Sequence, residues 1–159
     1  MKVVPVQPVG VDIFWKQIEP LIKKAVSYSG GRHTVATTKY LLKTGMMQLF
    51  VVFKSVKDIE AVIVTQKAIY PAKTMMTVVL CGGKNMNKWA GMGIKTIMES
   101  AKEQGCSGVE VMGRPGWRKI FSKHVKYKES YVCLRQCLRL QSTDQYPHHH
   151  HRVFQHKSW

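Results

Sequence analysis

The sequence predicts an α/β (α+β) domain. Its mixed central sheet is antiparallel in the N-terminal strands and parallel across a later strand–helix–strand unit, and helices flank it. Three observations carry this. Apolar residues first recur with helical period, at Val11, Phe14, Trp15, Ile18, Ile22, Ala25 and Val26, and the period changes to that of strands from Met47 onward. A later apolar run, residues 75–80, leads through Cys81-Gly82-Gly83 and Lys88-Trp89-Ala90-Gly91-Met92-Gly93 into an amphipathic segment, residues 94–103, and then a further strand, residues 108–112. Such a unit is a parallel, right-handed crossover. Finally, 159 residues, 45% of them hydrophobic, suit one domain with a sizeable core.

The elements follow in chain order. The first helix carries Lys16, Lys23 and Lys24 on its polar face, with Pro20 as a candidate kink. Residues 27–32, containing Gly30-Gly31, read as a loop. Thr34 then caps a short second helix through Lys43, with Leu41 and Leu42 inward and Gly45 as terminator. Residues 47–53 and 60–65 pair as a hairpin, the segment Ala68-Ile69-Tyr70-Pro71 ends the second strand, and residues 73–80 form a third. After the crossover, Pro115 starts a short helix with Trp117, Ile120 and Phe121 inward. Residues 127–140 alternate loosely and close the sheet. The domain therefore spans residues 1–140, and 141–159 form a polar tail containing His148–His151.

Charge narrows the partners. Twenty-five Lys and Arg face nine Asp and Glu, a formal net charge of +16. Residues 111–159 hold ten of the basic residues against Glu129 and Asp144 alone. A field of this sign favours polyanions: nucleic acid, phosphorylated cofactors or anionic surfaces. Arg114, Arg118, Lys119, Lys123, Lys126 and Lys128 crowd into fifteen residues. They are candidates for contact with nucleic acid or an acidic partner, because phosphate backbones are bound by charge without base reading.

Cysteine chemistry is less informative. Cys81, Cys106, Cys133 and Cys137 contain no C-x-x-C pair, and no His or Cys pair at zinc spacing completes a site with Cys133 and Cys137. They read as buried thiols in a reducing compartment, and no metal is expected. Flexible His tracts such as His148–His151 bind metals only adventitiously. No signal peptide is visible at the N-terminus, and no apolar run is long enough to span a bilayer. A cytosolic site of synthesis is expected, without membrane attachment.

The stretch from Lys88 to Gly93 carries the clearest chemical signal. A strand, a glycine segment and a helix start form the grammar of a phosphate cradle. Helix starts offer unpaired N–H groups and a positive dipole end, and glycines let backbone approach a phosphate.

The order of elements resembles the GNAT fold, the Gcn5-related N-acetyltransferases, over roughly residues 9–140. In that family the helix start carries Arg or Gln, two residues, Gly, one residue, and Gly or Ala; here the match is Lys88-Trp89-Ala90-Gly91-Met92-Gly93. The match assigns residues 74–81 to the family's fourth strand, with residues 3–6 as the first, so that the fourth and fifth strands are the parallel pair. Gly105-Cys106, then Val109-Glu110-Val111 and Gly113-Arg114-Pro115-Gly116-Trp117, resemble a variant found in small proteins of tailed bacteriophages.

The resemblance implies acetyl-coenzyme A as cofactor. The Lys88, Gly91 and Gly93 segment would hold its pyrophosphate, aided by Lys84, and backbone N–H groups at Val79 or Leu80 would polarise the thioester carbonyl. Acetylating an amine needs a base for the amine proton and an acid for the leaving thiolate. Glu110 is the candidate base, with solvation or pairing to Arg114 as its structural alternative. The family's acid is a Tyr on the last short helix, and Phe121 stands in that place. Ser122, His124 and Tyr127 are nearby substitutes, Tyr127 being the candidate carried forward. The family's Gly-Phe after this helix is replaced by Val125-Lys126. Two functions therefore stay open. One is a phage-encoded N-acetyltransferase of unassigned acceptor. The other is a non-catalytic virion protein of the same fold that contacts DNA or other virion proteins. The corresponding locations are host cytoplasm and virion.

Overall fold

A computed structural model describes residues 1–55 and 57–128. Five strands form one sheet in the order β1 (Lys2–Val6), β2 (Gln48–Ser55), β3 (Asp58–Ile69), β4 (Thr74–Gly83) and β5 (Gly108–Val111). Neighbours are antiparallel except β4 and β5, which are parallel. Helices α1 (Val11–Ser27) and α2 (Val35–Lys43) precede β2, α3 (Met86–Glu103) makes the crossover, and α4 (Trp117–Phe121) follows β5. Residues 1–127 form one compact unit and 128–159 a second, of which Lys128 alone is described. The mixed sheet and its flanking helices are those the sequence predicts.

Strand alternation sends side chains to two cores. Leu49, Val51, Val62, Val64 and Leu80 meet Val11, Ile18, Ile22 and Ala25 of α1 and Leu42 of α2. Phe50, Val52, Ala61, Ile63, Met76 and Val78 meet Trp89, Ile97 and Ala101 of α3. Local signals act where expected. Thr34 and Thr37 form a reciprocal capping box at the start of α2, each side chain accepting the other's N–H at 3.0 Å. Gly45 leaves α2 at φ 75°, and Gly105 leaves α3 at φ 72°. Pro5 lies in β1, the edge strand, where a missing N–H breaks no ladder.

Helix α1 runs from Val11 to Ser27 with Pro20 inside it. Two boundaries differ from expectation. β3 runs on to Ile69, because its pairing with β4 continues to Ile69↔Thr74. The segment Cys81-Gly82-Gly83 is no turn but the end of β4, paired with Ile63, Val62 and Ala61. Its glycines serve close approach. A Cβ on Gly82 would stand 2.2 Å from the Leu21 carbonyl oxygen of α1, and one on Gly83 would stand 2.3 Å from the Ala61 Cβ. The expected final strand begins at Tyr127, but Tyr127 and Lys128 have no regular structure, and the rest of that strand, the boundary at residue 140 and the histidine tail lie outside the described residues. No helix among the described residues is long and apolar enough to cross a membrane.

Candidate active site

The site begins where β4 and β5 stop pairing. Their pairing runs from Met75↔Gly108 to Val78↔Val111, with a last bond from the Met112 N–H to the Val78 carbonyl at 3.3 Å. β4 continues to Gly83 along β3 while β5 ends at Val111, so beyond Val78 the parallel pairing stops. At the same point β4 bulges against β3. Val64 faces Leu80 but Thr65 faces Val78, leaving Val79 as the extra residue. The bulge turns Val79 and Leu80 to the same core, that of α1, although they are consecutive. The sequence-predicted pair of strand-end amides thus sits on a backbone irregularity that hydrophobic pattern cannot reveal.

The link from β4 to α3 is short and tied down. The Lys84 N–H donates to the Glu60 carbonyl at 3.1 Å, and the Asn85 side chain donates to the nearly buried Glu60 carboxylate. The Trp89 indole N–H donates to the Lys84 carbonyl at 2.8 Å. Asn85 adopts the left-handed conformation, φ 50°, that Asn tolerates better than most residues.

Helix α3 then starts at Met86, earlier than expected, and this changes the role of the glycines. Lys88 is exposed in its first turn. Gly91 and Gly93 lie beyond that turn, where N–H groups are used by the helix itself. The donors left over by the helix belong to its first turn, at Met86 and Asn87, since the Lys88 N–H already donates to the Asn85 carbonyl at 2.8 Å. Gly91 and Gly93 instead make room. A Cβ on Gly91 would lie 2.9 Å from Nδ1 of His124, and one on Gly93 would lie 3.2 Å from Ile63 Cδ1.

Between β4, α3 and α4 the space is nearly filled. A cavity of about 20 Å³ remains, lined by Ile63, Val78, Cys81, Ala90, Trp117 and Phe121. That is room for roughly one water molecule. Trp117 and Phe121 stack with ring centroids 6.1 Å apart and planes 17° apart. Trp117 folds back over Gly113, whose Cβ would approach the ring to 2.8 Å. Burial pushes the Cys81 thiol up to about 12, against the opposing charge of Arg114. It is a packing group, not a nucleophile.

Glu110 stands opposite Thr77 in the parallel register. Its Oε1 accepts from the Thr77 hydroxyl at 2.7 Å and from the Tyr70 hydroxyl at 2.9 Å. The expected alternative partner, Arg114, goes elsewhere: its guanidinium lies 4.1 Å from the centroid of the Tyr28 ring at the end of α1. Thr77 and Tyr70 escaped sequence reasoning because they are 33 and 40 residues from Glu110. A Thr at mid-strand and a Tyr after a strand carry no signal until register brings them to one carboxylate. Phe121 is packed in α4, and Tyr127 is exposed in the irregular segment after it. Arg114, Arg118, Lys119, Lys123, Lys126 and Lys128 are all exposed, with Arg118 and Lys119 on α4 itself.

Comparison with solved structures places the architecture. A probable acetyltransferase superposes with a TM-score of 0.65 at 11% identity, covering 89% of this chain and 99% of that one. A predicted acetyltransferase from Clostridium acetobutylicum, solved with acetyl-CoA, gives 0.61 at 9% identity, covering 84% and 95%. A ribosomal-protein-alanine N-acetyltransferase from Brucella melitensis biovar Abortus 2308 gives 0.58 at 13% identity, covering 86% and 100%. No family profile and no curated protein matches the sequence. The chain has the GNAT fold; at these identities the likeness speaks for the fold.

Proposed function

We propose that the chain is a phage-encoded, acyl-CoA-dependent N-acetyltransferase. The observation that carries this reading is the bulge at Val79 set at the point where the pairing of β4 with β5 stops. On this reading the backbone N–H groups of the bulge, at Val79 and Leu80, would serve as donors, and such donors stabilise the charge that develops on an acyl oxygen. The named neighbours are acetyltransferases, one solved with acetyl-CoA. The phage assignment rests on the run from Gly105-Cys106 to Trp117.

Acetyl-CoA supplies the acyl group. First-turn amides of α3, with Lys84 and Lys88, would hold its pyrophosphate, while Gly91 and Gly93 keep the helix close to His124 and the sheet. Glu110 takes the proton of the acceptor amine. Two hydroxyls fix its Oε1, which aims Oε2. Tyr127 is the proton donor to the leaving thiolate. The cavity of about 20 Å³ beside Trp117 and Phe121 is too small for a pantetheine arm as it stands.

The test is a calorimetric titration with acetyl-CoA, with Gly91→Trp as control. Saturable binding by the wild type, lost in the variant, is expected. No heat at millimolar ligand sinks the enzyme reading.

One observation favours a second reading. Phe121 stands where the family's acid would be, and with Trp117 it fills the space beside β4. On this reading the chain is a non-catalytic virion protein, and its basic C-terminal third contacts DNA or other virion proteins.

A further inference from the structure

The tertiary contact between His124 and Gly91 joins two sets of lysines that the sequence keeps about thirty-five residues apart. Lys88 lies three residues before Gly91, on the same face of α3. Lys123 and Lys126 flank His124, and Lys119 stands on α4 just before it. With Lys84 in the link to α3, five exposed lysines border the seam where the segment after α4 meets α3.

Among the described residues no acid forms an ion pair with these lysines. Ion pairs instead join Asp12 to Lys39 and Lys43, Asp58 to Lys54, and Glu99 to Lys95. Glu60, the acid beneath the β4–α3 link, is nearly buried and engaged by Asn85.

Among the described residues the seam offers a protein partner one exposed aromatic side chain, Tyr127 beside Lys126. Protein interfaces are anchored by desolvated aromatic side chains. Here Trp89 is buried, and Trp117 and Phe121 line the inner cavity. Met92 and Met98, at 40% and 49% exposure, are the large apolar side chains exposed on α3. A phosphodiester backbone needs only charge and donors, and its affinity rests on counterion release. Stacking aromatics, which single strands use, are absent from the lysine face of α3.

We infer that the α3–α4 seam, with Lys84, Lys88, Lys119, Lys123 and Lys126, binds the phosphate backbone of duplex DNA without reading its sequence. The inference rests on the second reading and gives it a defined partner; Lys84 and Lys88 are the residues it shares with the coenzyme site of the first, while Lys119, Lys123 and Lys126 belong to it alone.

The test is fluorescence anisotropy of the full chain with a short random-sequence duplex, titrated across salt. Each lysine that contacts a phosphate contributes about 0.9 to the slope of log affinity against log salt. The triple variant Lys119→Gln, Lys123→Gln, Lys126→Gln is expected to bind less tightly with a shallower slope. The pair Lys84→Gln, Lys88→Gln should act the same way from the other side of the seam. Lys16→Gln, Lys23→Gln and Lys24→Gln remove equal charge from α1 and should leave binding unchanged. Circular dichroism checks that each variant folds. Equal loss from the α1 triple would overturn the inference, as would no duplex binding at low salt. Poly-glutamate of matched charge bound as tightly as the duplex would overturn it in favour of an acidic protein. The acetyl-CoA titration is scored separately, so either idea can fail alone.

Discussion

The Thr77 hydroxyl donates to Glu110 Oε1 at 2.7 Å across the parallel pair of strands, beside the point where their pairing stops. Tyr70 donates to the same oxygen. Thr77 is 4% exposed, so its hydroxyl has little access to water. A hydrogen bond to a charged acceptor contributes about 1.5–3 kcal/mol. Thr77→Val should therefore lower unfolding free energy by up to about that amount, read by urea denaturation. Glu110→Gln should lower turnover by roughly 10²–10⁴-fold if Glu110 is the base, with acetyl-CoA affinity unchanged. Wild-type turnover in that variant would remove Glu110 from the mechanism.

Two glycines should respond in opposite ways to alanine. At Gly82 the new Cβ meets backbone, the Leu21 carbonyl of α1, which cannot step aside without moving the helix. Overpacking of this kind typically costs about 1–3 kcal/mol, so Gly82→Ala should lower the melting temperature. At Gly91 it meets the exposed imidazole of His124, which can rotate away. Gly91→Ala should then be neutral or stabilising by up to about 1 kcal/mol, as for Gly in a helix interior. Thermal melts of both variants decide it.

Cys81 should be unreactive in the folded chain. Its thiol lies at about 12 rather than 9.0 because burial disfavours the thiolate. Iodoacetamide at neutral pH should label it only after denaturant is added. The sign for stability follows from linkage. The unfolded thiol ionises above about 9 and the folded one does not, so this contribution is complete below 9 and declines as pH rises towards 12. A Cys81→Ser variant that kept the same alkaline loss would assign that loss to other groups.

Phe121→Tyr restores a phenol at the position where GNAT enzymes carry their acid. If the centre is catalytic, thiol release from acetyl-CoA should rise, within the roughly 10²–10⁴-fold that a positioned acid supplies. Phe121 lines the inner cavity, so the same variant must be checked for a stability loss from its hydroxyl. Unchanged turnover in a folded protein would show that position 121 does not supply the acid, as expected where Tyr127 does.

Sequence alone determined the element order, the mixed sheet, the caps at Thr34 and Gly45 and the place of the crossover. These are local or periodic properties, written in residue type and spacing. Resemblance pointed to Val79 and Leu80 as candidate donors, and charge counting picked out the basic residues that the structure shows exposed. Tertiary structure decided the rest. It carried β4 through Gly82-Gly83, because α1 and β3 press against those glycines. It put Gly91 inside a helix against His124, gave Glu110 its two hydroxyl partners, and sent Arg114 to Tyr28. Each of these is a contact between residues far apart in the chain, fixed by strand register and close packing, and neither is set by the identity of a residue's immediate neighbours.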